Sequence, residues 1–146
     1  MAITQAIANS FKKLLLEGDQ NFKASGGDKF KIALYTSSAT LNSATTSFTT
    51  TNEVSNSGQY SSGGGALVNG TVSMTAGVAR ADFADRSFTG VTITARGALI
   101  YNTSSTTTNA AVCVLDFGAD KPATSGVFTI QFPAQTSTAA ILRISG

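Results

Sequence analysis

The pattern of apolar and polar positions is clearest in residues 91–101, a β-type run that contains no Pro, Asp or Asn. Its odd positions are apolar or glycine, whereas its even positions begin with Thr92 and end with Ala98 and Ile100. Two alternating faces predict a strand, and two apolar faces at one end predict a central strand whose second face is covered there. Gly97 inside the run predicts a bulge or the close approach of another backbone.

Further alternating or apolar runs predict strands on both sides of this one, separated by Gly-, Asn- and Asp-rich turns. The turn signal Asn69-Gly70 predicts a tight hairpin within residues 67–72. Turns are also predicted at residues 85–90 and 118–126, and a solvated loop at residues 102–109. The predicted additional strands are residues 30–35, 72–74, 78–83, 111–117, 127–132 and 139–144.

Residues 37–65 have a weaker pattern and are longer than an ordinary connection. Their Ser-, Thr- and Asn-rich sequence is interrupted by four widely spaced apolar residues, Leu41, Phe48, Val54 and Tyr60. We therefore expect an ordered excursion with short pieces of regular structure, anchored by these four side chains.

Residues 3–17 carry apolar side chains at helical spacing, from Ile3 through Ile7 and Phe11 to Leu14 and Leu15. Gly18 then provides a helix stop. A lone helix of this length must bury its apolar stripe. It can pack on the sheet or across the open end of a barrel, or it can dock on a neighbouring subunit as an N-terminal arm.

These elements predict an all-β fold with about eight strands and no alternation of strands with helices. We expect an antiparallel two-sheet sandwich of jelly-roll type, with a closed small barrel as the alternative. Residues 1–18 form the predicted helix or arm, and residues 19–146 form a single β-sandwich domain.

The composition agrees with such a domain and limits the classes of partner that we expect. Charged residues make up 12% of the 146 residues, Ser and Thr about a quarter, and the net charge is +2. This net positive charge is too small for a surface that binds nucleic acid, so we expect no specific nucleic-acid partner. No signal peptide or transmembrane run is visible, so we expect no membrane partner and a product made in the cytosol, or an assembly built there.

No constellation in the sequence predicts catalysis. The chain has no His and a single Cys, Cys113, in an apolar strand, so neither familiar nucleophile pairs nor transition-metal spacings occur. Asp82 and Asp85 are the best candidates for paired carboxylates, in hydrolysis or Ca²⁺ binding. Pairing with Arg80 or Arg86 at a strand end is the favoured interpretation for both. We expect no enzyme activity, catalytic residue, metal or cofactor.

The stretch at residues 30–46, FKIALYTSSATLNSATT, resembles small virion proteins of tailed bacteriophages. The similar stretches that follow in order are residues 51–54, 58–60, 63–65, 82–85, 94–102, 114–118, 128–133 and 140–144. The chain looks like capsid decoration, or cement, proteins, which sit on the outer shell as jelly-roll oligomers. The resemblance implies no catalytic residues.

The resemblance implies a non-enzymatic structural protein that binds the major capsid protein, and itself as a dimer or trimer, on the outer surface of a virion assembled in the host cytoplasm. A tail or neck component and a carbohydrate-binding attachment module are the alternatives. The residues expected to form the subunit or capsid interface are Ile7, Phe11, Lys12, Lys13, Leu14, Phe48 and Tyr60.

Overall fold

The chain folds into two antiparallel sheets and one short helix, and the computed structural model describes residues 2–136 and 139–145. The elements are β1 (Ala6–Ile7), α1 (Asn9–Leu16), β2 (Phe30–Tyr35), β3 (Gly65–Ala66), β4 (Ser73–Thr75), β5 (Val78–Ala81), β6 (Arg86–Asn102), β7 (Ala110–Ile130) and β8 (Leu142–Ile144). One sheet has the order β1-β7-β6-β2-β3 and the other the order β4-β5-β8. This arrangement agrees with the predicted sandwich at the level of two antiparallel sheets.

The predicted central strand is confirmed, because β6 lies in the middle of the five-stranded sheet between β7 and β2. Ile100 of β6 lies opposite Ile32 of β2 on one side and Cys113 of β7 on the other. Exposed Thr92 and Thr94 alternate with buried side chains, whereas every residue from 97 to 102 is buried. The cover predicted at this end of the second face is therefore present.

Gly97 combines both features that its position predicts. The β6–β7 register shifts between Ala95 and Gly97, which marks a bulge. A Cβ atom at Gly97 would lie 2.5 Å from the carbonyl oxygen of Leu115 and 2.9 Å from the side chain of Ile3. Only glycine allows the N-terminal segment and β7 to approach β6 this closely.

The predicted turns at residues 85–90 and 118–126 are wrong. The first segment lies largely in β6 and the second wholly in β7, and the two strands pair from Arg86 opposite Ile130 to Asn102 opposite Ala110. Register shifts accommodate the extra residues, and Gly118 has a φ of 81°. Pairing along a long hairpin thus overrides the local turn signals of Gly and Pro.

The hairpin predicted at Asn69-Gly70 is also wrong. Asn69 forms an isolated bridge with Phe83, and the tight turn lies instead at Ala76-Gly77, between β4 and β5. Ala76 and Gly77 have φ angles of 53° and 75°. A two-residue turn with two positive φ angles matches the twist of the flanking strands, even with Ala at its first position.

The N-terminal helix is shorter than predicted. Residues 3–7 are not helical, because Ile3 bridges Leu41 and β1 pairs with the edge of β7. Only α1 is helical, and its Phe11 and Leu14 are buried. The helix packs on its own sheet, and Ile3, Ala8 and Phe11 from the N-terminal region belong to the core.

The five-stranded sheet is covered on both faces. Phe30 and Tyr101 point to opposite faces, because Phe30 lies opposite Asn102, the residue next to Tyr101. Phe22 stacks on Phe30 with a ring-centroid distance of 4.6 Å, and Phe48 stacks on Tyr101 at 4.9 Å. The long excursion (residues 37–64) therefore covers one face, while the segment after α1 covers the other.

Substitution of Gly97 by Ala tests the close approach at the bulge. The new Cβ atom would overlap a backbone oxygen, so we expect a loss of roughly 1–3 kcal/mol in the free energy of unfolding. Gly126→Ala is the matched control, since its Cβ would lie 3.4 Å from the nearest atom, and its stability should stay within about 1 kcal/mol of wild type. Urea unfolding measures both, and equal stability of the two variants would contradict the packing at Gly97.

Substitution of Phe11 by Ala tests whether the helix belongs to the core. Phe11 is 4% exposed and contacts Phe22, so we expect a loss of roughly 3–5 kcal/mol. Leu16→Ala on the same helix is the control, because Leu16 is 90% exposed and its truncation should cost less than about 0.5 kcal/mol. Thermal or urea unfolding that leaves Phe11→Ala as stable as Leu16→Ala would show that the helix is an interface element instead.

Candidate docking surface

A groove of about 610 Å³ runs between α1 and the three-stranded sheet, and we call it the helix groove. It is lined by residues of the helix, of the segment at residues 20–23, and of β5 and β8. Its main apolar lining residues are Phe11, Leu15, Phe22, Val72, Leu142 and Ile144. An apolar groove of this volume lies in the range of ligand and peptide sites.

Exposed apolar side chains surround this groove. Leu16 is 90% exposed, Ile144 59% and Val72 46%, and all three line it. Met74, 73% exposed, lies on the neighbouring strand β4. Most of the large apolar side chains exposed in the described residues are thus collected on one side of the molecule, which is typical of a protein-binding surface.

The charged residues that line the helix groove in the described part of the chain are all basic. Lys12, Lys23, Arg80 and Arg143 line it, and no Asp or Glu among the described residues does. Arg80 is only 7% exposed, and its Nη2 donates hydrogen bonds to the Ser73 hydroxyl (3.0 Å) and the Thr75 hydroxyl (2.9 Å). These bonds hold the guanidinium on the face of the small sheet that Ser73, Thr75 and Arg143 share, opposite the face that carries Leu142 and Ile144.

A second groove, of about 660 Å³, lies between the N-terminal segment, β7 and the chain around residues 128–133 and 140–141. Cys113 lines it but is 4% exposed, and burial raises the pKa of its thiol to about 12. The thiol therefore stays protonated at neutral pH, in agreement with the expectation of a small buried side chain rather than a nucleophile.

The predicted interface residues near the N terminus differ in how far they are exposed to solvent. Lys12 is exposed and lines the helix groove together with half-buried Ile7, whereas exposed Lys13 pairs with Glu17 at 2.9 Å. Phe11 and Leu14 are buried within the chain. Most of the surface of both side chains is thus covered within the chain, and their part in an interface stays a prediction.

Phe48 and Tyr60 act as anchors of the excursion. Half-buried Phe48 stacks on Tyr101, and Tyr60 is fully buried. The Tyr60 hydroxyl accepts a hydrogen bond from the backbone N–H of Leu34 (2.8 Å) and donates one to the Glu53 carboxylate (2.7 Å). Tyr60 cannot contact a partner in this conformation, which corrects its assignment to the interface.

The Glu53 carboxylate also holds the glycine-rich end of the excursion. Its Oε1 accepts from the backbone N–H of Gly63 (2.7 Å), and its Oε2 accepts from the Ser62 hydroxyl (2.8 Å). The Tyr101 hydroxyl in turn donates to the carbonyl oxygen of Gly63 (2.5 Å). These bonds fasten the excursion to the central strand.

Asp82 and Asp85 do not form the predicted pairs with Arg80 or Arg86. Asp82 accepts a hydrogen bond from the backbone N–H of Phe83, and Asp85 accepts one from that of Phe132, each at 2.9 Å. Both carboxylates thus satisfy backbone donors at strand ends. Within residues 2–136 and 139–145, His, Cys, Asp and Glu side chains form no group of three that could hold a metal ion.

Asp116 is the carboxylate that pairs with an arginine, and its partner is Arg96 of the central strand at 3.0 Å. The hydrogen bond from Arg96 and one from the backbone N–H of Gly118 keep the pKa of Asp116 below its ordinary value. Because Arg96 is fixed across the β6–β7 ladder beside the Gly97 bulge, its role is structural.

The sequence did not single out Leu16, Val72, Arg80, Arg143 and Ile144 as a surface. They come from the helix, a connection and two strands, which only the fold brings together. The one available signal was that Arg80 and Arg143 interrupt two short, otherwise mostly apolar β segments.

Comparison of the chain with protein-family models, with curated proteins and with solved structures finds no match in any of the three. The helix in the described part of the chain has eight residues, and no described helix reaches the length and apolarity that a membrane crossing requires.

Cys113 generates a prediction for alkaline pH. The unfolded thiol loses its proton near its ordinary pKa of 9.0, whereas the folded thiol keeps it up to about pH 12. The stability that this difference contributes is present below pH 9.0 and is lost as pH rises towards 12. Urea unfolding across this range should therefore show a shallower decline for Cys113→Ala than for wild type. Parallel declines, or rapid modification of the native thiol by a disulfide reagent at neutral pH, would contradict burial of the thiol.

Proposed function

We propose that this protein is a non-enzymatic virion structural protein of a tailed bacteriophage, which binds and stabilises the capsid shell as a decoration, or cement, protein. Its partners would be the major capsid protein and further copies of itself, as a dimer or trimer. Its place would be the outer surface of a virion assembled in the host cytoplasm. The jelly-roll subclass of the two-sheet fold belongs to the same proposal.

The observation that carries the proposal is the helix groove with its exposed apolar rim. Leu16, Val72 and Ile144 form an exposed apolar surface, to which a partner could bind, on a β domain with few charged residues. A protein held in many copies on a lattice needs such a binding surface. It also needs a rigid domain with little net charge, so that neighbouring copies do not repel one another. The resemblance of residues 30–46 and the later stretches to virion proteins supports the same role.

A tail or neck component is the second candidate, since small β proteins also form rings there. The outer strands of the three-stranded sheet, β4 and β8, favour lateral association of either kind. A carbohydrate-binding attachment module is less well supported, because Phe48 and Tyr60 pack inward and offer no aromatic platform.

Copy number in purified virions tests the proposal. Gel densitometry of particles should give hundreds of copies for a decoration protein and a few to tens for a tail or neck component. Absence from the particles would contradict both roles.

The binding side can be tested with particles that lack this protein. Leu16→Asp places a charge on the rim of the helix groove and should abolish co-sedimentation with such particles. Val127→Asp is the matched control, because Val127 is 58% exposed on β7 and does not line the groove. If both variants bind as wild type does, the helix groove is not the capsid-binding side.

A further inference from the structure

The Asn69-Gly70 pair, whose sequence is typical of a hairpin turn, has a different place in the fold. It lies in the connection between β3 and β4, where Asn69 forms an isolated bridge with Phe83. The backbone N–H of Gly70 donates a hydrogen bond to the carbonyl oxygen of Asp82 at 2.9 Å. The backbone of the pair is therefore held against the chain that follows β5.

The Asn69 side chain fastens a loop that is distant in the sequence. Its Nδ2 donates hydrogen bonds to the carbonyl oxygens of Lys23 (3.1 Å) and Asp28 (3.0 Å), which uses both hydrogens of the amide. These two carbonyl groups belong to one loop, next to Phe22, and the Phe22 ring stacks on Phe30 of the large sheet. Asn69 thus holds the segment that covers one face of this sheet.

Asn-Gly is also the dipeptide in which spontaneous deamidation is chemically easiest, because glycine has no side chain to hinder attack by its nitrogen, and it occurs once in the chain. In this reaction the Gly70 nitrogen bonds to Cγ of Asn69, the Cγ–Nδ2 bond breaks, and the amide leaves as ammonia with the proton of the Gly70 nitrogen. Water then opens the cyclic imide to aspartate or isoaspartate.

The fold restrains both groups that react. The Gly70 N–H is bonded to Asp82, and the Asn69 amide is bonded to two carbonyl oxygens, so three hydrogen bonds oppose the rearrangement that brings nitrogen and Cγ together. The reaction therefore requires local opening of this region.

We propose that Asn69 is a latent deamidation site, which the fold protects, and that deamidation there releases the loop between Lys23 and Asp28. A carboxylate at position 69 has no hydrogen to donate and would face the two carbonyl oxygens that the amide now binds. Isoaspartate would also lengthen the backbone by one atom and disturb the bridge to Phe83. The site would act in the same way whatever the protein binds.

Deamidation of the wild-type chain tests the protection. The chain is kept at mildly alkaline pH, folded in buffer or unfolded in urea, and tandem mass spectrometry of proteolytic fragments follows conversion at Asn69. We expect the folded chain to react about 10- to 1,000-fold more slowly, because each of the three hydrogen bonds shifts the opening equilibrium by up to about ten-fold. Gly70→Ala is the chemical control and should suppress the reaction in urea as well.

Asn69→Asp reproduces the aspartate product and tests the release of the loop. Amide hydrogen exchange in residues 21–28 should become about 10-fold faster or more, as expected for a segment that opens locally. Asn56→Asp is the matched control, because the Asn56 side-chain oxygen accepts a hydrogen bond from the Ser62 N–H (2.7 Å) that a carboxylate can accept equally. If Asn69→Asp does not fold, Asn69→Ala removes both donors without adding a charge and tests the same release.

Equal deamidation rates in the folded and unfolded chain, or no reaction at Asn69 in urea, would overturn the proposal. Exchange in residues 21–28 that Asn69→Asp and Asn69→Ala leave unchanged would also overturn it. None of these measurements involves virions, so their outcome is independent of the copy number and particle binding that test the decoration role.

Discussion

Burial of both faces of β6 over residues 97–102 is the constraint on which the rest of the structure depends. A central strand with no exposed side requires a cover on each face, and the chain supplies two different ones. The long excursion lies over Tyr101, while Phe22 and the elements connected to it lie over the face of Phe30. The N-terminal segment reaches the same strand at Gly97, where Ile3 packs so close to the backbone that a Cβ atom would not fit.

The excursion shows how a polar, irregular segment can be an integral part of a core. Leu41, Val54 and Tyr60 are at most 5% exposed, and the Glu53 carboxylate satisfies the donors of Tyr60, Ser62 and Gly63. Its backbone also joins the large sheet, because Ser47 bridges Ala110 of β7 and Glu53 bridges Tyr35 of β2. Buried hydrogen bonds of this kind stabilise one conformation because each unpaired group would cost free energy.

The same rule distinguishes the excursion from other parts of the molecule. Within the described residues, the buried side-chain atoms without a hydrogen-bond partner belong to Ser10, Gln20, Arg80 and Arg86, and none of them lies in the excursion.

The sequence by itself determined the class of the fold, the central strand, the special role of Gly97 and the four anchors of the excursion. These features follow from the spacing of apolar residues along a few neighbouring positions, which the periodicity of a strand converts directly into buried and exposed faces. Only the tertiary structure decided that residues 118–126 continue a strand, that residues 3–7 are extended and that Phe11 packs in the chain's own core. In each case pairing or packing with a segment distant in the chain outweighed the local preference. The helix groove was decided in the same way, because its walls come from residues 7–23, 72–81 and 142–144, and no local pattern encodes their meeting.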